Sequence, residues 1–151
     1  MDEKWVRETA AGLKRDIEAK KSKDEKFVVT QRLKQELGPG LWAELRDWLK
    51  EACEKLNTEM GMEVARFVVV NGEEATVSGK ADGMYTTMTA KFNPSKSSVE
   101  YHSQGGEPSR TYEVVINADG HAGLAQRGMP FGSTAAEVGK EILKHGLQVA
   151  S

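Results

Sequence analysis

Beyond Met62 the chain is cut into short segments by turn signals, and this division limits the fold more than any other feature. Asn71-Gly72, Asp82-Gly83 and Asp119-Gly120 are tight-hairpin dipeptides, because these residues tolerate the left-handed backbone that such turns require. Asn93-Pro94-Ser95-Lys96 makes a further turn, and Gly105 to Ser109 a longer loop. Between them the residues alternate with period two, the pattern of a strand with one buried face. The expectation is a six-stranded antiparallel up-and-down meander.

Turn positions set register, and register decides which side chains meet. A two-residue turn at Asp82-Gly83 places Val77 opposite Met88 and Ala75 opposite Ala90. A turn centred on Pro94-Ser95 then brings Met88 to Tyr101 and Ala90 to Val99. With Ser103 opposite Arg110, the rows continue to Tyr112 and Val114, and the Asp119-Gly120 turn adds Ala125 beside Val114. One face is thereby apolar. The other carries Ser78, Thr87, His102 and Thr111 in one row, with Thr76, Thr89, Glu100, Glu113 and Gln126 beside it. Glu100 would oppose Glu113, a like-charge pair that costs stability unless water or a partner relieves it. A solvated sheet face is the simpler account, since antiparallel sheets commonly leave one face to water.

Helices flank this sheet. From Asp2 to about Leu37 the residues favour helix, and Trp5, Val6, Thr9, Ala10, Leu13 and Ile17 follow helical spacing. Lys20, Lys21 and Asp24 interrupt that stripe before it resumes at Phe27, Val28, Leu33 and Leu37, as one long helix or as two that break near Ser22. Gly38-Pro39-Gly40 punctuates the segment. Leu41, Trp42, Leu45, Trp48, Leu49, Ala52, Cys53, Leu56 and Met60 then form the strongest amphipathic stripe in the chain. Near the C-terminus, Thr134 and Glu137 make a capping box. The helix that follows presents Ala135, Val138, Ile142 and Leu143 and is expected to end at Gly146.

The fold class is therefore α+β: N-terminal helices, a six-stranded antiparallel meander, and a C-terminal helix packed on one sheet face. Residues 1–37 read as a helical arm and 38–151 as the α+β domain, the two forming one folding unit. At 151 residues the chain can bury a core without staples. The net charge of −2 is evenly spread, with 13 basic and 13 acidic residues up to Met60, which argues against nucleic acid as a partner. No apolar run suggests a membrane span. One cysteine allows no internal disulfide and fits the cytoplasm.

No motif carries a recognisable chemistry. His102, His121 and His145 stand at no metal-ligand spacing, so neither a metal nor a cofactor is expected. Cys53 lies within an apolar stripe, where an inert thiol is the natural reading. Three readings follow in order of weight. The first is a non-catalytic interaction or self-association domain, a homodimer or a protein partner being engaged through the N-terminal helices. The second is a small-molecule binding module with a pocket between sheet and closing helix, lined by Met88, Tyr101, Tyr112 and Phe131. The third, catalysis, is a hydrolase or isomerase using Glu100, Glu113 and His102 as acid and base groups.

Overall fold

The structure is a computed structural model that describes residues 3–81, 84–103, 109–126, 129 and 132–147. The elements run α1 (Glu3–Met60), β1 (Ala65–Asn71), β2 (Glu74–Ala81), β3 (Met84–Asn93), β4 (Ser98–Ser103), β5 (Ser109–Ile116), β6 (Ala122–Gln126) and α2 (Ala135–Leu147). The strands form one antiparallel sheet in chain order, β1-β2-β3-β4-β5-β6. This is the α+β class and the meander expected from the turns. Contacts divide the chain into residues 1–33 and residues 34–151. The first unit is helical throughout its described length.

In the second unit α1 passes through Gly38-Pro39-Gly40 without a break. The sequence signal for a stop there is overridden, as is the alternative of a break near Ser22. Pro39 removes one helical hydrogen bond, but Gly38 before it and the stripe that begins at Leu41 are committed to the core. Leu41, Trp42, Leu45, Leu49 and Cys53 are buried. Gly38 sits against the Phe92 ring, where a Cβ would come within 3.3 Å. Trp42 stacks on Phe92 at 6.1 Å and donates from Nε1 to the Gly72 carbonyl at 2.8 Å. Gly61, with φ of +67°, follows the last residue of the helix.

Those helical side chains share one core with the inner sheet face, Ala75, Val77, Met88, Ala90, Phe92, Val99, Tyr101, Tyr112, Val114 and Leu124, and with Ala135, Val138 and Ile142 of α2. The capping box at the start of α2 is formed: the Glu137 amide donates to Thr134 Oγ1 and the Thr134 amide to Glu137 Oε1. The helix continues through Gly146 to Leu147, one turn signal being too weak to stop it.

The register agrees with the turn argument between β2 and β3 and departs from it afterwards. Val77 opposes Met88 and Ala75 opposes Ala90, as expected. Between β3 and β4 the loop is four residues, Pro94 to Ser97, because Asn93 Oδ1 accepts from Ser95 Oγ and the Lys96 amide while Ser97 takes φ of 49°. Met88 therefore opposes Ser103, Ala90 opposes Tyr101, and Phe92 opposes Val99. The β4–β5 pairing is displaced by two as well: Val99 faces Tyr112, Tyr101 faces Arg110, and Glu100 faces Thr111, not Glu113. A shift of two keeps every side chain on its face.

The last hairpin is displaced by one, which does not. The Gly120 amide donates to the Asn117 carbonyl, Gly120 has φ of +85°, and the Asn117 amide donates to the His121 carbonyl. This is a tight turn followed by a left-handed residue, a loop one residue longer than Asp119-Gly120 alone implies. Val114 consequently faces Leu124, and Ala125 faces Glu113 on the opposite side. Gln126 pairs with Tyr112 and leaves the polar face.

Candidate functional site

Among the described residues, three regions of the surface are considered as candidate sites, and each follows from the packing. The first is the helix over residues 3–33. An amphipathic helix is stabilised by covering its apolar stripe, yet here the stripe is open: Trp5 is 63% exposed, Leu13 59%, Ile17 67% and Phe27 64%. Val28 flanks it, and Ile17, Lys20, Lys21, Asp24, Glu25, Val28 and Val29 border one shallow, mainly apolar strip.

A second region is a cleft of about 290 Å³ between β5, β6 and α2, bordered by Tyr112, Gln126, Met129, Ser133, Glu137 and Glu141. Beneath it Tyr101 and Tyr112 stack with ring centres 6.0 Å apart. Burial, with Tyr112 alongside, pushes the Tyr101 phenol far above its ordinary range, so it stays protonated. Arg110, opposite Tyr101 in the register, donates from Nη1 to Glu141 Oε2 at 3.0 Å and ties the sheet to α2. Desolvation opposes the guanidinium charge, but Tyr101, Tyr112 and Glu141 outweigh it and hold the Arg110 pKa above normal. Of the four pocket residues expected from sequence, Tyr112 borders this cleft. Met88 and Tyr101 are fully buried in the core, and Phe131 lies outside the described residues.

The third region is the outer sheet face. Glu100 is exposed, while His102 and Glu113 are half-buried. Glu100 and Glu113 both border a broad hollow of about 440 Å³, shared with Glu73, Lys91, Asn93 and Lys96. His102 faces Thr89 and Ser109 and does not border it. The three are thus not drawn together as an acid–base set. Both signs of charge line the hollow, and Lys91 bridges to Glu74 at 3.5 Å.

Burial pushes the Cys53 thiol up to about 11, with Glu54 adding to the shift, which leaves little thiolate at neutral pH. Among the described residues no group of His, Cys, Asp and Glu is placed to hold a metal ion. Sequence reasoning missed Asn57. Its Oδ1 accepts from the Val64 and Ala65 amides and its Nδ2 donates to the Ala65 carbonyl, fastening the end of α1 to β1. It also missed Arg110, whose partner Glu141 is too distant in the chain for any spacing rule to find.

No described helix is long and apolar enough to cross a membrane. No protein-family model, no curated protein and no solved structure matches the chain.

Proposed function

We propose that the chain is a non-catalytic self-association module in which the helix over residues 3–33 docks on a second copy of itself. The observation that carries this reading is the open apolar stripe, above all Leu13, Ile17 and Phe27. Each such side chain gains roughly 1.5–3 kcal/mol when covered, and a closed two-fold dimer is the commonest way for one surface to cover itself. Sedimentation equilibrium of the intact chain at micromolar concentration tests the proposal. A dimer is expected, and Leu13→Lys with Ile17→Lys should return it to monomer without lowering the melting temperature of the sheet domain. A wild type that stays monomeric up to 100-fold higher concentration would overturn it.

The cleft bordered by Tyr112, Gln126, Ser133 and Glu141 favours a second reading, a small-molecule binding module. Its volume sits at the lower end for ligand pockets, and Gln126, Ser133, Glu137 and Glu141 bring polar groups to it beside Tyr112, Met129 and Val138. Thermal melting against a metabolite panel decides it. A shift that Tyr112→Leu abolishes supports the reading, and no shift in wild type removes it.

A further inference from the structure

We infer, resting on the self-association reading, that the two copies pair antiparallel, with Lys20 of one helix facing Asp24 of the partner subunit. Val6, Leu13, Lys20 and Phe27 recur every seven residues, and Ala10, Ile17, Asp24 and Gln31 lie four residues after each. This alternating three-and-four spacing is the seam of a two-stranded coiled coil. All eight positions are exposed in the single chain. Six are uncharged and two are not, and the two charged ones have opposite sign and stand together at the middle of the six from Leu13 to Gln31.

That pair chooses the orientation. In a parallel, in-register dimer Lys20 would lie beside Lys20 of the partner subunit and Asp24 beside Asp24 of the partner subunit, placing two like-charge contacts in a seam that excludes water. In an antiparallel dimer with its two-fold axis at Ser22, Lys20 meets the partner's Asp24 and Asp24 meets the partner's Lys20. The same axis brings Ile17 to the partner's Phe27 twice, and Leu13 to the partner's Gln31 twice. A parallel pair staggered by four residues satisfies Lys20 and Asp24 once only and cannot close under two-fold symmetry. A polar pair in the seam costs some affinity and specifies register in return. The long aliphatic stem of Lys20 covers apolar surface while its ammonium reaches the carboxylate at the edge. From Leu13 to Gln31 the seam is roughly 27 Å long, so the pairing is weak enough to exchange.

The test uses the full chain. Lys20→Asp and Asp24→Lys should each weaken dimerisation at least tenfold in sedimentation equilibrium, and the double exchange should restore it to within about threefold, the ratio expected when a close charge pair is broken and remade. Orientation is read from a spin label at Glu8→Cys, on the outer side of the helix, with the buried Cys53 left in place. The antiparallel pair puts the two labels about 40 Å apart, whereas a parallel pair puts them within about 20 Å. A monomeric wild type overturns the self-association reading and this inference with it. A dimer with the short label distance, or one whose affinity Lys20→Asp leaves unchanged, overturns the antiparallel pairing alone.

Discussion

Gly139 of α2 lies directly against the indole of Trp48 on α1, so closely that a Cβ at position 139 would overlap the ring at Cε3 and Cζ3. The glycine is what lets the two helices meet over the sheet. In a helix interior, Gly→Ala ordinarily stabilises by about 0.5–1 kcal/mol. Here overpacking, about 1–3 kcal/mol, opposes that gain and exceeds it. Gly139→Ala is therefore expected to destabilise wild type by about 1 kcal/mol, and to stabilise a Trp48→Ala background. Urea unfolding of the four proteins in the cycle reads the change of sign. Trp48 is only half-buried, so Trp48→Ala should cost roughly 2–3 kcal/mol, below the range for a fully buried aromatic.

Cys53 supplies a pH signature. Its thiol is raised from an ordinary value near 9.0 to about 11 in the folded chain, chiefly by burial. The folded state therefore holds the proton more tightly. The associated stability is fully present below the unfolded pKa and is lost as pH rises from about 9 to 11, by up to about 2–3 kcal/mol. Cys53→Ala loses packing at every pH but has no proton to release. The stability gap between wild type and Cys53→Ala should narrow across that window. A constant gap in urea melts from pH 8 to 10.5 would contradict the burial account.

How much of this was legible in the sequence depended on the range of the interaction concerned. Local periodicity identified the strands and the core stripe Leu41, Trp42, Leu45 and Leu49, because burial acts residue by residue. Register was legible only where the loop was short, as between β2 and β3. Beyond that, loop geometry is decided by side-chain bonds such as those of Asn93 and by single left-handed residues such as Gly120, and turn dipeptides do not reveal them. Face assignment survived the two-residue shifts, and failed at Ala125 and Gln126 where the shift was one. The candidate sites suffered accordingly. Tyr112 borders the cleft beside α2 because its place on the core face did not depend on exact register, whereas the Glu100–Glu113 pairing did depend on it and did not form.

Asn57 joins two elements through three hydrogen bonds, with donors and acceptors that packing partly shields. Replacing it with Ala leaves the Val64 and Ala65 amides and the Ala65 carbonyl without that partner. The expected loss is about 2–3 kcal/mol, the scale for stranding partly buried backbone groups. Asn57→Asp retains the acceptor for both amides but removes the donor, so it should cost less. Equal losses for the two variants in chemical denaturation would show that the amide acceptance contributes nothing.

The outer sheet face yields a prediction that separates the observed register from the one the turns implied. Across β2, β3 and β4, Glu74, Lys91 and Glu100 stand in one row, so the lysine is flanked by a carboxylate on each side. Its ammonium reaches Glu74 at 3.5 Å, with Lys91 more than half exposed. Opposite charges in cross-strand pairs contribute about 0.2–1 kcal/mol each, and like charges cost similar amounts. Lys91→Glu converts two favourable neighbours into two repulsive ones and should destabilise the domain by about 0.5–2 kcal/mol. Exposure makes the effect sensitive to salt, so 0.5 M sodium chloride should recover most of it. Glu113 provides the contrast. It faces Ser98 and Ala125 rather than Glu100, so Glu113→Gln should bring no gain in stability at neutral pH. A salt-sensitive gain in Glu113→Gln would mean that Glu100 pairs with Glu113 across β4 and β5, and a loss in Lys91→Glu no larger than a single pair with Glu74 accounts for would mean that Glu100 does not flank the lysine.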